Sequence, residues 1–96
     1  MREPDFEWDE VKNAANVRKH GVSFYAAQHA FLDPDRVIAK DLTHSQEEKR
    51  YYCFGVNREG SGILAVRFMY RSGRIRIIGA GYWRKGKQVY EQANSV

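Results

Sequence analysis

Two periods run along this chain. Between Asp9 and Asp33 apolar residues recur at intervals near 3.6, and from Arg36 to Trp83 they alternate with polar ones. The stretch DEVKNAANVRKHG predicts a first helix. Asp9 can cap it, Val11, Ala14, Ala15 and Val17 or Arg18 follow helical spacing, and Gly21 can take the left-handed turn at its end. SFYAAQHAFLD predicts a second helix, capped by Ser23, with Phe24, Ala27 and Phe31 on one face and Asp33-Pro34 as its stop. RVIAKDL, KRYYCFGVN, GILAVRFMY and RIRIIGAGYW then read as strands, separated by the polar THSQEE and the turn signals NREGSG and RSG. KGKQVYEQAN, with Val89, Tyr90 and Ala93 at helical spacing, predicts a short closing helix. The expectation is an α+β domain spanning residues 1–96, with two N-terminal helices, a three- to four-stranded antiparallel sheet and a short C-terminal helix.

Charge changes this picture more than composition does. The formal net charge is +4, but residues 1–48 hold six Lys/Arg against ten Asp/Glu, whereas residues 49–96 hold ten against two. The second half is where a polyanion would bind, and nucleic acid is the expected class. The start MREPDFEWDE is acidic and unlike a secretory signal, and no apolar run approaches the roughly 20 residues of a membrane span. The expected setting is cytoplasmic, without a membrane partner. Cys53, the single cysteine, lies inside YYCFGV and is expected to pack as a small apolar residue. No glycine pattern matches a nucleotide-binding loop, and histidines with a lone cysteine make no zinc set, so no cofactor or metal is expected.

Strand alternation gathers the cations. Ile75 and Ile77 share one face, and Arg74, Arg76 and then Ile78 the other; Arg67 alternates against Val66 and Phe68, and Arg50 against Tyr51. On neighbouring strands Arg50, Arg67, Arg74 and Arg76 converge on one face, with Arg71 at the hairpin beside them. Arginines so placed need an anion between them: Glu48 and Glu59, or an RNA backbone.

The segment FEWDEVKNAANVRKHGVSFYAAQHAFLDP, residues 6–34, resembles the BrnT family of type II toxins, which share Phe-x-Trp-Asp, Lys-His-Gly-Val-Ser-Phe and Asp-Pro in that order. Asp41, His44, Ser45, Glu48, Arg50 and Gly55 follow the family's Asp-x-x-His-Ser-x-x-Glu-x-Arg-x-x-x-x-Gly spacing, and the likeness runs on through Arg71 and RIRII. The resemblance implies a RelE-like fold, a ribonuclease that arrests translation by cutting messenger RNA at or near the ribosome, and a BrnA-like ribbon-helix-helix antitoxin. DNA would be reached only through that antitoxin. In one respect the chain departs from the family pattern. Many members end the last strand Ile-Ser-Ala-Arg, whereas this chain has Ile78-Gly79-Ala80-Gly81, so that Gly81 stands at the arginine position.

Metal-independent RNA cleavage needs a base for the 2′-hydroxyl proton, cations for the phosphorane and an acid for the departing 5′-oxygen. Arg50, Arg71 and Arg76 are expected to hold the phosphorane, since a guanidinium contacts two phosphate oxygens at once. His44 and Glu48, four residues apart beside the Arg50 strand, are the expected acid and base, in either order. Lys19, Arg67, Arg74, Tyr82, Trp83, Arg84 and Lys85 are the expected RNA-binding residues, the aromatics stacking bases while the cations grip phosphate. Arg84 and Lys85 are placed to return the cation missing at Gly81, and Trp83 has a structural alternative as a plug at the sheet edge. His20 is expected to be a helix-terminal structural group, and His29 has no evident partner. A second reading makes the chain a non-catalytic binding module, or a co-repressor partner of a DNA-binding antitoxin.

Overall fold

The computed structural model describes residues 5–43 and 48–95. The elements are β1 (Phe6–Glu7), α1 (Glu10–His20), α2 (Phe24–Ala27), a 3-10 helix (Gln28–Leu32), β2 (Val37–Asp41), β3 (Arg50–Val56), β4 (Ile63–Arg71), β5 (Arg74–Tyr82) and α3 (Arg84–Ala93). The expected caps are present. Asp9 accepts from the Val11 and Lys12 amides, Ser23 Oγ accepts from the Ala26 amide, and Gly21 closes α1 at φ 70°.

The four segments expected as strands pair as an antiparallel meander, but the sheet has five strands in the order β1-β5-β4-β3-β2 and is mixed. The fifth is the two-residue β1, which lies parallel to β5 through Phe6↔Ile75 and Glu7↔Arg76. A pair of residues is too short for alternation to announce it. The second helix is also shorter than expected: its α portion ends at Ala27 and the chain tightens into the 3-10 helix, which packs on β3.

α2 and the 3-10 helix cover one sheet face. Phe24, Ala27 and Ala30 meet Cys53, Leu64, Val66, Phe68, Ile75 and Ile77 there, with Phe6, Trp8, Phe31 and Tyr51 around the rim. Phe31 stands edge-on to both Phe6 and Phe68, at ring-centroid distances of 5.1 Å each. Cys53 is fully buried in this layer, and burial pushes its thiol up to about 12, so it carries no thiolate chemistry.

The helical stripe expected of α1 is not what anchors it. Val11 and Val17 face solvent, and the one buried α1 residue is Asn16. Its amide donates to the carbonyls of Val22 and Ala80 and accepts from the Ala80 amide. Beyond β1 the outer edge of β5 would expose its backbone groups, and Asn16 completes that edge in place of a strand.

On the opposite sheet face lies α3. Gly86 is buried against Phe54 and Ala65, where a Cβ would come within 2.7 Å of the Phe54 ring, so the helix interior tolerates a glycine in exchange for close approach. Asp33 ties the helix down. Its Oδ2 accepts from Tyr90 Oη at 2.6 Å and from the Val56 amide at 2.9 Å, and its Oδ1 accepts from the Asp35 amide. Burial pushes the Asp33 carboxyl up, but those hydrogen bonds and the Arg36 charge outweigh it and hold it below 3.8; the same contact raises Tyr90 to about 12. A lowered carboxyl pKa stabilises above the unfolded-state value, and that contribution is lost as pH falls through the folded one. Tyr90→Phe is therefore expected to cost about 1–2 kcal/mol at pH 7 in urea unfolding, with the difference from the parent shrinking below about pH 4.

Candidate functional site

Register decides which arginines meet. Across the sheet Arg67 stands between Tyr52 and Gly79, Arg76 beside Met69, Arg74 beside Arg71, and Arg50 beside Asp41. Cross-strand partners share a face, so Arg50, Arg67, Arg71, Arg74 and Arg76 occupy the face opposite α2 and the 3-10 helix, as alternation predicts. α3 covers the Phe54–Ala65 end of that face and leaves the arginine end open.

One detail of the alternation fails. Arg67 pairs with Gly79 but Phe68 with Ile77, so Ile78 is the extra residue of a β-bulge. Strict alternation groups Ile78 with Arg74 and Arg76; the bulge shifts the phase by one. Gly79 and Gly81 therefore join the arginine face, and Ala80 joins the core.

Carboxylates already hold Arg71, Arg74 and Arg76. Arg76 contacts Glu7 at 2.7 Å, Arg74 approaches the same residue at 3.9 Å, and Arg71 contacts Glu48 at 2.9 Å. Glu48 thus pairs with Arg71, and Glu7 takes the part expected of Glu59, which lies in the β3–β4 turn. The Arg71–Glu48 pair is about half exposed, a class worth only ~0–1 kcal/mol, so a phosphate can compete for it. Among the described residues Arg67 has no ion pair with a carboxylate, and it is half-buried.

Arg67 opens into a cleft of about 320 Å³ whose lining includes His20, Tyr52, Gly79, Gly81 and Trp83. The edge contact of Asn16 accounts for His20: one helical turn further along, it reaches over Gly81, where a Cβ would stand 3.7 Å from its ring. The Arg67 guanidinium lies over Gly79 in the same way, 3.4 Å from a Cβ there. Trp83 leans on Tyr52 at 5.4 Å and Phe54 at 6.3 Å between ring centroids, yet remains 43% exposed. It is both a packing residue and an accessible ring.

The other expected site residues are dispersed. His44 lies outside the described residues. Lys19 is exposed beside His20 at the end of α1. The Tyr82 hydroxyl accepts from the Asn57 amide, which ties that ring to the β3–β4 turn although its edge reaches the cleft. The cation expected from Arg84 and Lys85 does not reach the cleft. α3 begins directly after Trp83, and Arg84 lines a separate groove with Lys87 and Tyr90. His20 and Tyr52 are the cleft residues that sequence reasoning missed. The signal for Tyr52 was in the alternation itself, whereas His20 depends on where α1 docks.

Among the described residues no helix is long and apolar enough to cross a membrane, and no group of three or more His, Cys, Asp or Glu is arranged to hold a metal ion. No curated protein matches the chain. Residues 8–86 match the family described as "Ribonuclease toxin, BrnT, of type II toxin-antitoxin system". That span contains β2 to β5, the five arginines of the open face and both sides of the cleft, and this chain belongs to the BrnT family of ribonuclease toxins.

Proposed function

We propose that this protein cleaves RNA without a metal ion, halting translation, and that its open arginine face is the surface that takes the RNA backbone. The observation that carries the reading is the convergence of Arg50, Arg67, Arg71, Arg74 and Arg76 on the part of one sheet face that α3 does not cover. Guanidinium forks supply the charge stabilisation that a dianionic phosphorane requires, which is the part a metal would otherwise play. The family implies an antitoxin partner. A BrnA-like ribbon-helix-helix antitoxin, bound to DNA on its own account, fits a toxin whose basic face must be masked, and the cytoplasm is where messenger RNA and ribosomes would be met.

A second reading draws on the pairing of Arg71, Arg74 and Arg76 with Glu48 and Glu7. Such arginines can exchange one carboxylate for another, as a binding module for an acidic antitoxin segment would. The test is RNA integrity during induction of the chain alone and in vitro with a chelator throughout. Cleavage that survives chelation is the expected result. Intact RNA with normal growth would overturn the nuclease reading in favour of the binding module.

A further inference from the structure

The arginine face bears on how an RNA backbone would be held, whereas the cleft beside it bears on where that backbone would be cut. Gly79 and Gly81 are two residues apart on one side of β5, so their Cα atoms are about 6.7 Å apart, and neither has a side chain to fill the space above it. Over one stands the Arg67 guanidinium and over the other the His20 imidazole. An imidazole and a guanidinium thus stand over same-face positions two residues apart on one strand, so a group that enters the cleft meets both.

Three features show that this is a built arrangement. Asn16 fixes the end of α1 to β5 through both hydrogen bonds of Ala80, which sets the height of His20 above the sheet. The bulge at Ile78 turns both glycines toward the arginines, where an unbulged strand would present Ile78 and Ala80. Arg67, unlike Arg71, Arg74 and Arg76, holds no carboxylate among the described residues, so its charge is available to a ligand. Beside them Trp83 presents an accessible ring braced from behind by Tyr52 and Phe54. A braced aromatic stacks an unpaired base at little cost in side-chain ordering.

We infer that the cleft between His20 and Arg67 receives the scissile phosphate of a single-stranded RNA, with His20 taking the 2′-hydroxyl proton, Arg67 contacting the phosphoryl oxygens and Trp83 stacking an adjacent base. This rests on the RNA-cleavage reading above. In the step, the 2′-oxygen bonds to phosphorus and the bond from phosphorus to the 5′-oxygen breaks. His20 accepts the 2′ proton, the leaving oxygen takes a proton from solvent, and His20 later returns its own to solvent. The products are a 2′,3′-cyclic phosphate and a 5′-hydroxyl end.

The experiment compares the parent chain with His20→Ala and Trp83→Leu on total RNA and on an unstructured RNA oligonucleotide, with chelator present and folding checked by thermal unfolding. His20→Ala is expected to lower the cleavage rate by about 100-fold or more. Added imidazole is expected to restore part of it, because the cleft left by the deleted ring is open to solvent. Trp83→Leu is expected to raise KM about tenfold with little change in kcat. Undiminished cleavage by His20→Ala overturns the proton role while leaving the nuclease reading intact, and so does a loss in a folded variant that imidazole does not relieve. An unchanged KM in Trp83→Leu removes the stacking contact. A parent that cuts neither RNA overturns the nuclease reading and this inference with it.

Discussion

Gly55→Ala is expected to remove a large part of the fold's stability. Gly55 lies in β3 where the 3-10 helix crosses it, and a Cβ there would overlap the carbonyl oxygen of Ala30 and come within 2.8 and 2.9 Å of its Cα and carbonyl carbon. A flexible side chain could turn away from such an intrusion; a backbone carbonyl in a short helix cannot. Separating the two elements would open the layer of Ala27, Ala30, Cys53 and Leu64. Overpacking against a backbone carbonyl falls at the upper end of the usual cost, about 3 kcal/mol, against a total stability on the order of 5–10 kcal/mol for a chain of this size. Gly81→Ala serves as the control, since its Cβ would meet nothing nearer than 3.7 Å. Urea midpoints should collapse for the first variant and stay near the parent value for the second. Equal midpoints would mean that β3 and the 3-10 helix are not in backbone contact.

The second large effect is on activity. Arg67→Ala is expected to lower RNA cleavage by about 100- to 1,000-fold while leaving the unfolding midpoint nearly unchanged. Arg67 lies in the middle of the open face, half-buried between Tyr52 and Gly79, and makes no ion pair among the described residues whose loss would disturb the fold. Arg76→Ala makes the contrast. Its partner Glu7 would lose its 2.7 Å contact and keep only Arg74 at 3.9 Å, and β1 would lose a tie to β5, so part of its effect should appear as lower stability. Single-turnover cleavage and unfolding measured on the same preparations separate the two. If Arg67→Ala cuts RNA at the parent rate, the face can still bind RNA but the cleft is not where the chemistry occurs.

Much of this fold was legible because its elements announce themselves locally. Asp9, Ser23 and Gly21 mark helix ends by their own hydrogen-bonding and backbone preferences, and the four long strands carry a clear period of two. The arginine face followed from the same alternation. What was not legible depends on contacts between residues distant in sequence. β1 is a strand only because β5 lies beside it, and Asn16 is buried only because Ala80 presents an unpaired edge 64 residues later. Helical spacing pointed instead to Val11 and Val17, which face water. Sequence marks His20 as a helix end, which it is; its reach over Gly81 follows from the docking of α1. Arg84 and Lys85 follow Trp83 directly, but they form the first turn of α3, and Arg84 lines a separate groove.

The bulge at Ile78 also bears on how β5 should be compared between relatives. Residue counts and sheet faces are equivalent along a strand only up to the point where one chain carries an extra residue. Gly81 stands at the arginine position of the family pattern by counting, but a relative with an unbulged strand would carry that arginine on the other side of its sheet. Sequence alignment of this segment should therefore permit a one-residue gap at Ile78. Along β5 a change in length moves every later side chain to the opposite face, and by that measure a single deletion is a larger functional event than any single substitution.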